Sequence, residues 1–265
     1  RQRQMCIRDS VFPLQRAGHE VWPVHTVNFS NHTGYGDWGG PMIPASDVTS
    51  IIDGIEKRGA FPQIDAILSG YQGGADIADA IVETVRRIKA ANPKALYACD
   101  PVMGNAKSGC FVSDEIPPLL RDRVVPVADI ITPNQFELGY LTDSEVGTLD
   151  QTLAAVKKAQ EIGPKTVLVT SVKRPETADD QIEMLAVDGD RAFLVSTPLL
   201  PFKRNGSGDV TAALFTGHYT ETSDVKESLR RTASSVYDLL ENTYEAETSE
   251  LQLCLLYTSP SPRDS

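Results

Sequence analysis

The sequence predicts a three-layer α/β fold in which helices cover both faces of a doubly wound, mostly parallel β-sheet. Short segments of continuous apolar residues that end in Gly or Pro alternate along the chain with longer segments whose apolar residues recur at helical spacing. Strands that are apolar throughout are typical of parallel sheets buried on both faces. The length of 265 residues allows one large domain or two small ones and does not choose between them.

The first strands of this pattern lie between residues 65 and 101. Residues 65–70, DAILSG, form a short apolar run that ends in Gly, and residues 95–101, ALYACDP, form a second run that ends at a proline. Between them, residues 76–92 place Ile77, Ile81, Val85 and Ile88 on one helical face. We therefore expect a strand, a helix and a parallel strand in this order.

The pattern repeats in the second half of the chain. Residues 127–134 and 165–172 are the next two predicted strands, and the first of them again stops at a proline. Residues 149–163 between these strands predict a helix with a glycine at its C-terminal cap.

The remaining predicted elements are a hairpin and two helices. An Asp-Gly pair, Asp188 and Gly189, is typical of a tight hairpin turn. Either Ser223 or Asp224 is expected to cap the last helix. The three elements span residues 182–198, 208–221 and 223–247.

Composition and charge limit the possible functions. The net charge of −11 argues against a general nucleic-acid-binding protein, which would carry a basic face. Nothing in the sequence approaches the roughly 18 consecutive apolar residues of a membrane span. The four cysteines have no metal-ligand spacing, so we expect a reduced, cytoplasmic setting.

Polar residues follow several of the predicted strands. Open parallel sheets bind ligands at the carboxyl ends of their strands, so these residues are the first candidates for a site. Asp100 follows the second strand, and Glu137 follows the strand that ends at Asn134. The two carboxylates could share a hydrated Mg²⁺, because this ion prefers oxygen ligands and keeps several waters.

The segment GSGD at residues 206–209 stands before a predicted helix. Successive backbone N–H groups at a helix start can hold an anion, and the helix dipole favours negative charge there. Asp209 could accept a proton from a substrate hydroxyl while these amides stabilise a transferring phosphoryl group. Taken alone, the segment is more often a tight turn with an aspartate cap, so both interpretations stay open at this point.

Five motifs together resemble the ribokinase-like superfamily, and within it the pyridoxal kinases. They are VWPVHTVNFSNHTGYGDWGG at residues 21–40, LSGYQG, CDPVMG, ITPNQFEL and GSGDVTAALF, in the order and spacing of that family. The resemblance implies ATP-dependent phosphorylation of the 5′-hydroxymethyl group of pyridoxal to pyridoxal 5′-phosphate. It also implies ATP and Mg²⁺ as cofactors, with a monovalent cation as a further candidate. The implied partners are a B6 vitamer and a second copy of the chain, with no nucleic acid and no membrane.

The resemblance also implies roles for individual residues. Asp209 is the implied base, and Gly206, Ser207 and Gly208 form the implied anion hole for the γ-phosphate. The implied metal ligands are Asp100 and Glu137. The implied substrate contacts are Thr33, Gly34, Tyr71 and Asp209. The implied ATP contacts are Asp100, Thr132, Glu137, Thr170, Thr197, Pro198, Leu199 and Leu200.

The two ends of the sequence depart from the family pattern. Residues 1–10 and 253–265 both finish in Arg-Asp-Ser and resemble adapter-derived sequence. We expect them to be non-native or disordered and to flank a kinase domain over residues 11–252 that lacks the family's N-terminal strand. Thr170 stands where some members of the family have a lysine.

Two alternatives to a pyridoxal kinase remain. A hydroxymethylpyrimidine kinase shares the Gly-X-Gly-Asp segment, although a close match to FSNHTGYG is not expected of it. The missing strand and Thr170 are also consistent with a non-catalytic vitamin- or nucleotide-binding protein or an inactive fragment.

Overall fold

A six-stranded sheet forms the centre of the molecule in a computed structural model that describes residues 7–33, 36–107, 109–110, 112–202 and 205–256. From one edge to the other, its strands are β1 (Ala66–Ser69), β2 (Leu96–Cys99), β5 (Ile130–Ile131), β6 (Thr166–Val172), β7 (Gln181–Asp188) and β8 (Arg191–Pro198). A separate two-stranded hairpin consists of β3 (Gly104–Asn105) and β4 (Gly109–Cys110).

The first four strands of the sheet are parallel and the last two are antiparallel. Strands β1, β2, β5 and β6 pair in parallel, whereas β7 pairs antiparallel with both β6 and β8. The mostly parallel sheet predicted from the sequence is therefore confirmed. The predicted hairpin is also present, and its turn includes Gly189, whose φ of 58° suits glycine.

Helices cover both faces of the sheet. The long helices are α1 (Ile7–Arg16), α2 (Ala45–Lys57), α3 (Ala75–Ala91), α5 (Gln135–Thr142), α6 (Leu149–Ile162), α7 (Ser207–Thr222) and α8 (Val225–Glu245), and α4 (Ile116–Leu119) is a single turn. Successive strand residues point to opposite faces. Tyr97 and Cys99 accordingly pack in one core with α3, α5 and α6, whereas Ala98 packs in a second core with α7 and α8.

Side-chain caps explain where several helices begin. Asn134 and Thr148 each form a capping box, with Glu137 at the start of α5 and with Gln151 at the start of α6. Of the two candidates for the start of α8, Asp224 is the cap, and its side chain accepts a hydrogen bond from the Glu227 amide.

The two predicted domain boundaries lie at described elements of the fold, and the division of the chain at these boundaries stays a prediction. Helix α1 begins at Ile7, so the predicted boundary at Val11 lies inside it, and residues 7–10 are helical. At the other end, Leu251, Leu253 and Leu256 are buried in a core with α7 and α8. Among the helices described, none combines the length and apolarity needed to cross a membrane.

The imidazole of His218 is buried in α7. Its residue is 4% exposed, and neither ring nitrogen has a hydrogen-bond partner among the described residues. Burial lowers the pKa of His218 from 6.5 to about 4, and the positive charge of Arg231 acts in the same direction. The contribution of neutral His218 to the free energy of unfolding is therefore fully present above the pKa of histidine in the unfolded chain. This contribution is lost as the pH falls toward 4.

We expect His218→Gln to flatten the pH dependence of the free energy of unfolding between pH 7 and pH 4. The variant cannot take up the proton that the unfolded wild-type chain binds in this range. Urea denaturation of wild type and variant at several pH values measures the two slopes. Equal slopes would contradict the assignment of a protonation penalty to His218.

Candidate active site

The carboxyl ends of β1, β2, β5 and β6 meet at one edge of the sheet. The residues that follow these strands are Gly70, Asp100, Thr132 and, within the end of β6, Thr170. Thr170 donates its backbone N–H to the carbonyl of Pro133 at 2.9 Å. The candidate residues after the parallel strands are thus brought to the same edge, as the strand-end argument predicts.

Glu137 joins two backbone segments at this edge through three amides. Its Oε1 accepts hydrogen bonds from the amides of Met103 at 2.9 Å and Gly104 at 3.3 Å, and its Oε2 accepts from the amide of Asn134 at 2.9 Å. The Asn134 side chain in turn donates to the carbonyl of Gly104 at 2.8 Å. Both carboxylate oxygens of Glu137 are therefore engaged by the protein backbone.

Negative charge is concentrated around Asp100. Asp100 and Glu137 are 8% and 4% exposed. Burial raises the pKa of Asp100 well above its ordinary value, and the charges of Glu137 and Asp209 raise it further. Burial also raises the pKa of Glu137 to about 7, although its three amide hydrogen bonds oppose the shift. The site thus holds three neighbouring carboxyl groups that repel one another.

Helix α7 begins at the same edge. Its N-cap is Gly206, which has a φ of 89°, a backbone conformation that favours glycine. No side-chain hydrogen bond therefore caps this helix start. Asp209 lies in the first turn, three residues after the cap, so the alternative in which Asp209 is itself the N-cap is wrong. A methyl group added to Gly70 would lie 3.8 Å from Oδ1 of Asp209, which places this carboxylate beside the end of β1.

The amides at the start of α7 have an acidic neighbour that the sequence did not predict. The carboxyl group of Asp9, on α1, packs against Gly206, since a Cβ added to Gly206 would collide with Oδ2 of Asp9. Asp9 is 5% exposed, and burial raises its pKa to about 6, although the nearby Arg8 opposes the shift. A phosphate bound at these amides would meet this carboxyl group.

A cavity of about 530 Å³ opens beside the two aspartates. Asp100 and Asp209 line one part of it, together with Ser69, Gly70 and Tyr71 from the end of β1. Apolar side chains of α1, α2, α3, α7 and residues 21–27 line much of the rest. A largely apolar cavity with a few convergent polar groups is the usual form of a small-molecule site.

The predicted substrate contacts separate into three cases. Tyr71 lines the cavity, and its carbonyl accepts a hydrogen bond from the Thr26 hydroxyl at 3.2 Å. Thr33 does not line the cavity, and its carbonyl accepts a hydrogen bond from the Gly36 amide. Gly34 lies outside the described residues.

The predicted ATP contacts at the ends of β5, β6 and β8 lie along the part of this sheet edge that is farther from the cavity. Thr170 forms an isolated bridge with Asn134, and Thr132 is buried, with its hydroxyl beside Asp100. Thr197 and Pro198 end β8, and Leu199 and Leu200 follow them. These residues run from the centre of the sheet to the edge strand β8, on the side away from the cavity at β1.

Two interactions support the site and are not visible in the sequence. The hydroxyls of Ser69 and Tyr97 share a hydrogen bond of 2.7 Å directly below the Gly70 turn. The side chain of Gln135 exchanges hydrogen bonds with the backbone of Lys173, just after β6. Both join residues that are far apart in the chain, and neither pair has a spacing that marks it in the sequence.

The carboxylates fit a magnesium ion that is shared with phosphate ligands. Among the described residues, no group of three or more His, Cys, Asp or Glu side chains is arranged to hold a metal by itself. Mg²⁺ usually binds through one or two carboxylates, several waters and substrate phosphates. Asp100 is the better direct ligand, because backbone amides already occupy both oxygens of Glu137.

Comparisons with known proteins agree with this geometry. The family model described as phosphomethylpyrimidine kinase matches residues 59–253. The chain is 70% identical over 242 residues to pyridoxal kinase PdxY of Corynebacterium diphtheriae, which covers 91% of this chain and 86% of that protein. It is 64% identical over 244 residues to the protein of the same name from Leifsonia xyli subsp. xyli, covering 92% of this chain and 86% of that protein.

Solved structures show the same fold. Pyridoxal kinase from Leishmania donovani in complex with ADP and pyridoxamine has a TM-score of 0.87 at 26% identity, covering 94% of this chain and 88% of that one. A phosphomethylpyrimidine kinase structure from Bacteroides thetaiotaomicron, in a crystal form with pyridoxal, has a TM-score of 0.80 at 26% identity, covering 89% and 82%. The chain therefore belongs to the pyridoxal kinase family, within the ribokinase-like kinases that the phosphomethylpyrimidine kinase model describes.

Proposed function

We propose that this protein transfers the γ-phosphoryl group of ATP to the 5′-hydroxymethyl group of pyridoxal and so forms pyridoxal 5′-phosphate. The observation that carries the proposal is that Asp209 lies at the start of α7 and also lines the cavity, beside Gly70. A proton acceptor and an anion-binding helix start therefore meet at one point. The identity of 70% to a pyridoxal kinase supports the choice of substrate.

Asp209 is the proposed general base. A phosphoryl acceptor needs positioning, charge neutralisation and a proton acceptor, and little covalent chemistry from the protein. As the hydroxyl oxygen forms its bond to the γ-phosphorus, its proton passes to the Asp209 carboxylate, the bond to the bridging oxygen breaks and ADP leaves. The acidic neighbours Asp100 and Glu137 favour this transfer, because they repel a negative charge on Asp209.

The backbone at the start of α7 is the proposed anion hole. The amides of Gly206, Ser207 and Gly208 belong to the first turn, where helix N–H groups have no partner within the helix. They are aimed at charge that develops on the transferring group, and the helix dipole supports them. Gly206 adopts a left-handed conformation that lets the backbone turn tightly at this point.

Asp100 is the proposed ligand of Mg²⁺, either directly or through water. When bound, Mg²⁺ supplies positive charge that neutralises the phosphates and the buried carboxylates. Glu137 acts on this site by holding the Met103–Gly104 backbone and the start of α5 in place. The side of the edge with Thr132, Thr170 and residues 197–200 is the proposed ATP-binding side, and we keep a monovalent cation as a further candidate there.

We also propose that the protein acts as a homodimer. Large apolar side chains are exposed between residues 22 and 51, namely Trp22, Trp38, Met42 and Ile51. Exposed apolar side chains of this size are consistent with a protein interface. Light scattering after size exclusion should give twice the chain mass of 28.8 kDa, and a mass of one chain would contradict the proposal.

The direct test of the function compares two substrates. The match to the phosphomethylpyrimidine kinase model makes hydroxymethylpyrimidine the second candidate. With purified protein, ATP and Mg²⁺, we expect pyridoxal to react with the higher kcat/KM, measured by the absorbance of pyridoxal 5′-phosphate and by ADP release. A higher kcat/KM for hydroxymethylpyrimidine would overturn the substrate assignment, and no turnover of either would overturn the enzyme assignment.

Replacement of Asp209 by asparagine tests the base. The amide keeps the size of the side chain but cannot accept the proton, and general-base catalysis contributes about 10²- to 10⁴-fold. We expect kcat for pyridoxal to fall by about this factor while the KM for ATP changes little. Initial rates of pyridoxal 5′-phosphate formation, measured by absorbance at varied ATP and pyridoxal concentrations, give both constants. An Asn variant with wild-type kcat would exclude Asp209 as the base.

Replacement of Asp9 by alanine tests the acidic neighbour of the anion hole. Removal of a carboxyl group that packs against Gly206 removes repulsion of the γ-phosphate and leaves room for it. We expect the KM for ATP to fall in Asp9→Ala, measured at saturating pyridoxal. Glu250→Ala, which removes the other acidic partner of Arg8, is the control and should leave the KM for ATP unchanged. A KM for ATP that rises or stays the same in Asp9→Ala would contradict the prediction.

A further inference from the structure

A buried carboxylate lies at the site end of the β7–β8 hairpin. Glu183, on β7, is 3% exposed. The guanidinium of Arg174 donates to Oε2 of Glu183 at 2.8 Å and to Oε1 at 3.0 Å, and the Thr177 hydroxyl donates to Oε2 at 2.9 Å. The Ser196 hydroxyl donates to Oε1 at 3.3 Å. We call Arg174, Thr177 and Glu183 the hairpin clasp.

The hairpin clasp fixes the loop of residues 173–180, which joins β6 to β7. Besides its bond to Glu183, the Thr177 hydroxyl accepts the backbone N–H of Arg174 at 3.1 Å, and the Thr177 amide donates to the Arg174 carbonyl at 3.0 Å. The start of the loop is held separately, because the Lys173 amide donates to Oε1 of Gln135 at 3.0 Å. Gln135 is the first residue of α5, next to the Asn134 cap.

The far end of the loop is joined to the proposed ATP-binding segment. The backbone N–H of Leu199 donates to the carbonyl of Asp180 at 2.7 Å. On the hairpin, Ile182 pairs with Thr197 and Glu183 pairs with Ser196. The clasp therefore holds the residues that lead into Leu199 and Leu200 from two sides, through the loop and through the strand.

The electrostatics of the clasp make it sensitive to the loss of one partner. Burial by itself raises the pKa of Glu183, but the hydrogen bonds from Arg174 and Thr177 outweigh it and lower the pKa below the ordinary value. Replacing Glu183 would remove both hydrogen bonds that it accepts from Arg174, which would keep, among the side chains that the structure describes, only its ion pair with the exposed Glu176 at 3.1 Å. The loop that carries Arg174 would then lose the contacts that fix it.

We propose that Glu183 is a positioning residue for the nucleotide, which acts through Arg174 and Thr177 to hold residues 173–180 against the segment 197–200. The inference rests on the proposed function, in which that segment contacts ATP. The cavity for pyridoxal lies beside β1, at the opposite edge of the sheet from β8. With strands about 4.8 Å apart, five strand steps separate the two edges by roughly 24 Å. Loss of the clasp should therefore weaken nucleotide binding and leave pyridoxal binding unchanged.

The same strand offers a matched control. Asp188 is 4% exposed and is paired with Lys165 at 2.9 Å and with Arg191 at 2.7 Å. It lies five positions from Glu183 on β7, roughly 17 Å away, at the end of the hairpin that points away from the site. A general loss of stability from breaking a buried ion pair on β7 is therefore common to both positions, whereas a nucleotide effect is expected only at Glu183.

The experiment compares Glu183→Gln, Thr177→Val and Asp188→Asn with wild type. The measurements are kcat, the KM values for ATP and pyridoxal, the Kd of ADP by calorimetry, and the melting temperature. In Glu183→Gln we expect the KM for ATP and the Kd of ADP to rise by about tenfold, with the KM for pyridoxal unchanged. Thr177→Val should shift both nucleotide constants in the same direction by less. Asp188→Asn should lower the melting temperature and leave the nucleotide constants at wild-type values.

Three results would overturn the inference. They are an unchanged Kd of ADP in Glu183→Gln, an equal rise in Asp188→Asn, and a parallel rise in the KM for pyridoxal. If Glu183→Gln does not fold, Thr177→Val decides, and a wild-type Kd of ADP in that variant rejects the inference. A wild-type protein that binds ADP but turns over no pyridoxal would contradict the proposed function, whereas the calorimetric comparison would still decide the role of Glu183.

Discussion

The site depends on the Glu137 carboxylate, which accepts hydrogen bonds from three backbone amides. These amides come from the turn after β2 and from the cap of α5. The cap residue Asn134 also bridges to Thr170 at the end of β6. The Glu137 side chain therefore joins the ends of β2 and β5, near Asp100, and the Asn134 bridge adds the end of β6 with Thr170. Hydrogen bonds to both oxygens offset only part of the cost of burying the charge, because the pKa of Glu137 stays raised to about 7.

The site then balances two opposite electrostatic features. Asp100, Glu137 and Asp209 concentrate negative charge on one side, and burial, with a further contribution from their mutual repulsion, raises the pKa of Asp100 and Glu137. The start of α7 presents backbone N–H groups and the positive end of a helix dipole on the other side. A cation bound between the carboxylates reduces their mutual repulsion, and an anion bound at the helix start interacts favourably with the N–H groups and the helix dipole. This is why the geometry suits phosphoryl transfer from a magnesium nucleotide better than binding of a neutral vitamin alone.

The sequence predicted the fold well because its signals are local. Apolar runs ended by Gly or Pro predicted β1 and β2, the apolar run of residues 165–172 predicted β6, and helical spacing predicted α3 and α6, within one or two residues of their observed bounds. The grouping of Asp100 and Asp209 also followed, since parallel strands end at one edge and α7 starts there.

What the sequence could not predict are contacts that depend on side-chain direction. The engagement of Glu137 by amides, the packing of Asp9 on Gly206, and the hairpin clasp all join residues whose proximity arises only after folding. Thr33, predicted from a motif, does not line the cavity, and its contact with the substrate stays a prediction.

The most direct measurement of the central claim is a crystal structure of the protein with ADP, Mg²⁺, a γ-phosphate analogue and pyridoxal. The account predicts the 5′-hydroxyl oxygen within hydrogen-bond distance of the Asp209 carboxylate, about 2.6–3.2 Å. It also predicts the phosphate analogue on the amides of residues 206–208 and the adenine nucleotide along residues 197–200. A structure in which the hydroxyl faces another base, or in which the phosphate analogue lies away from the start of α7, would contradict it.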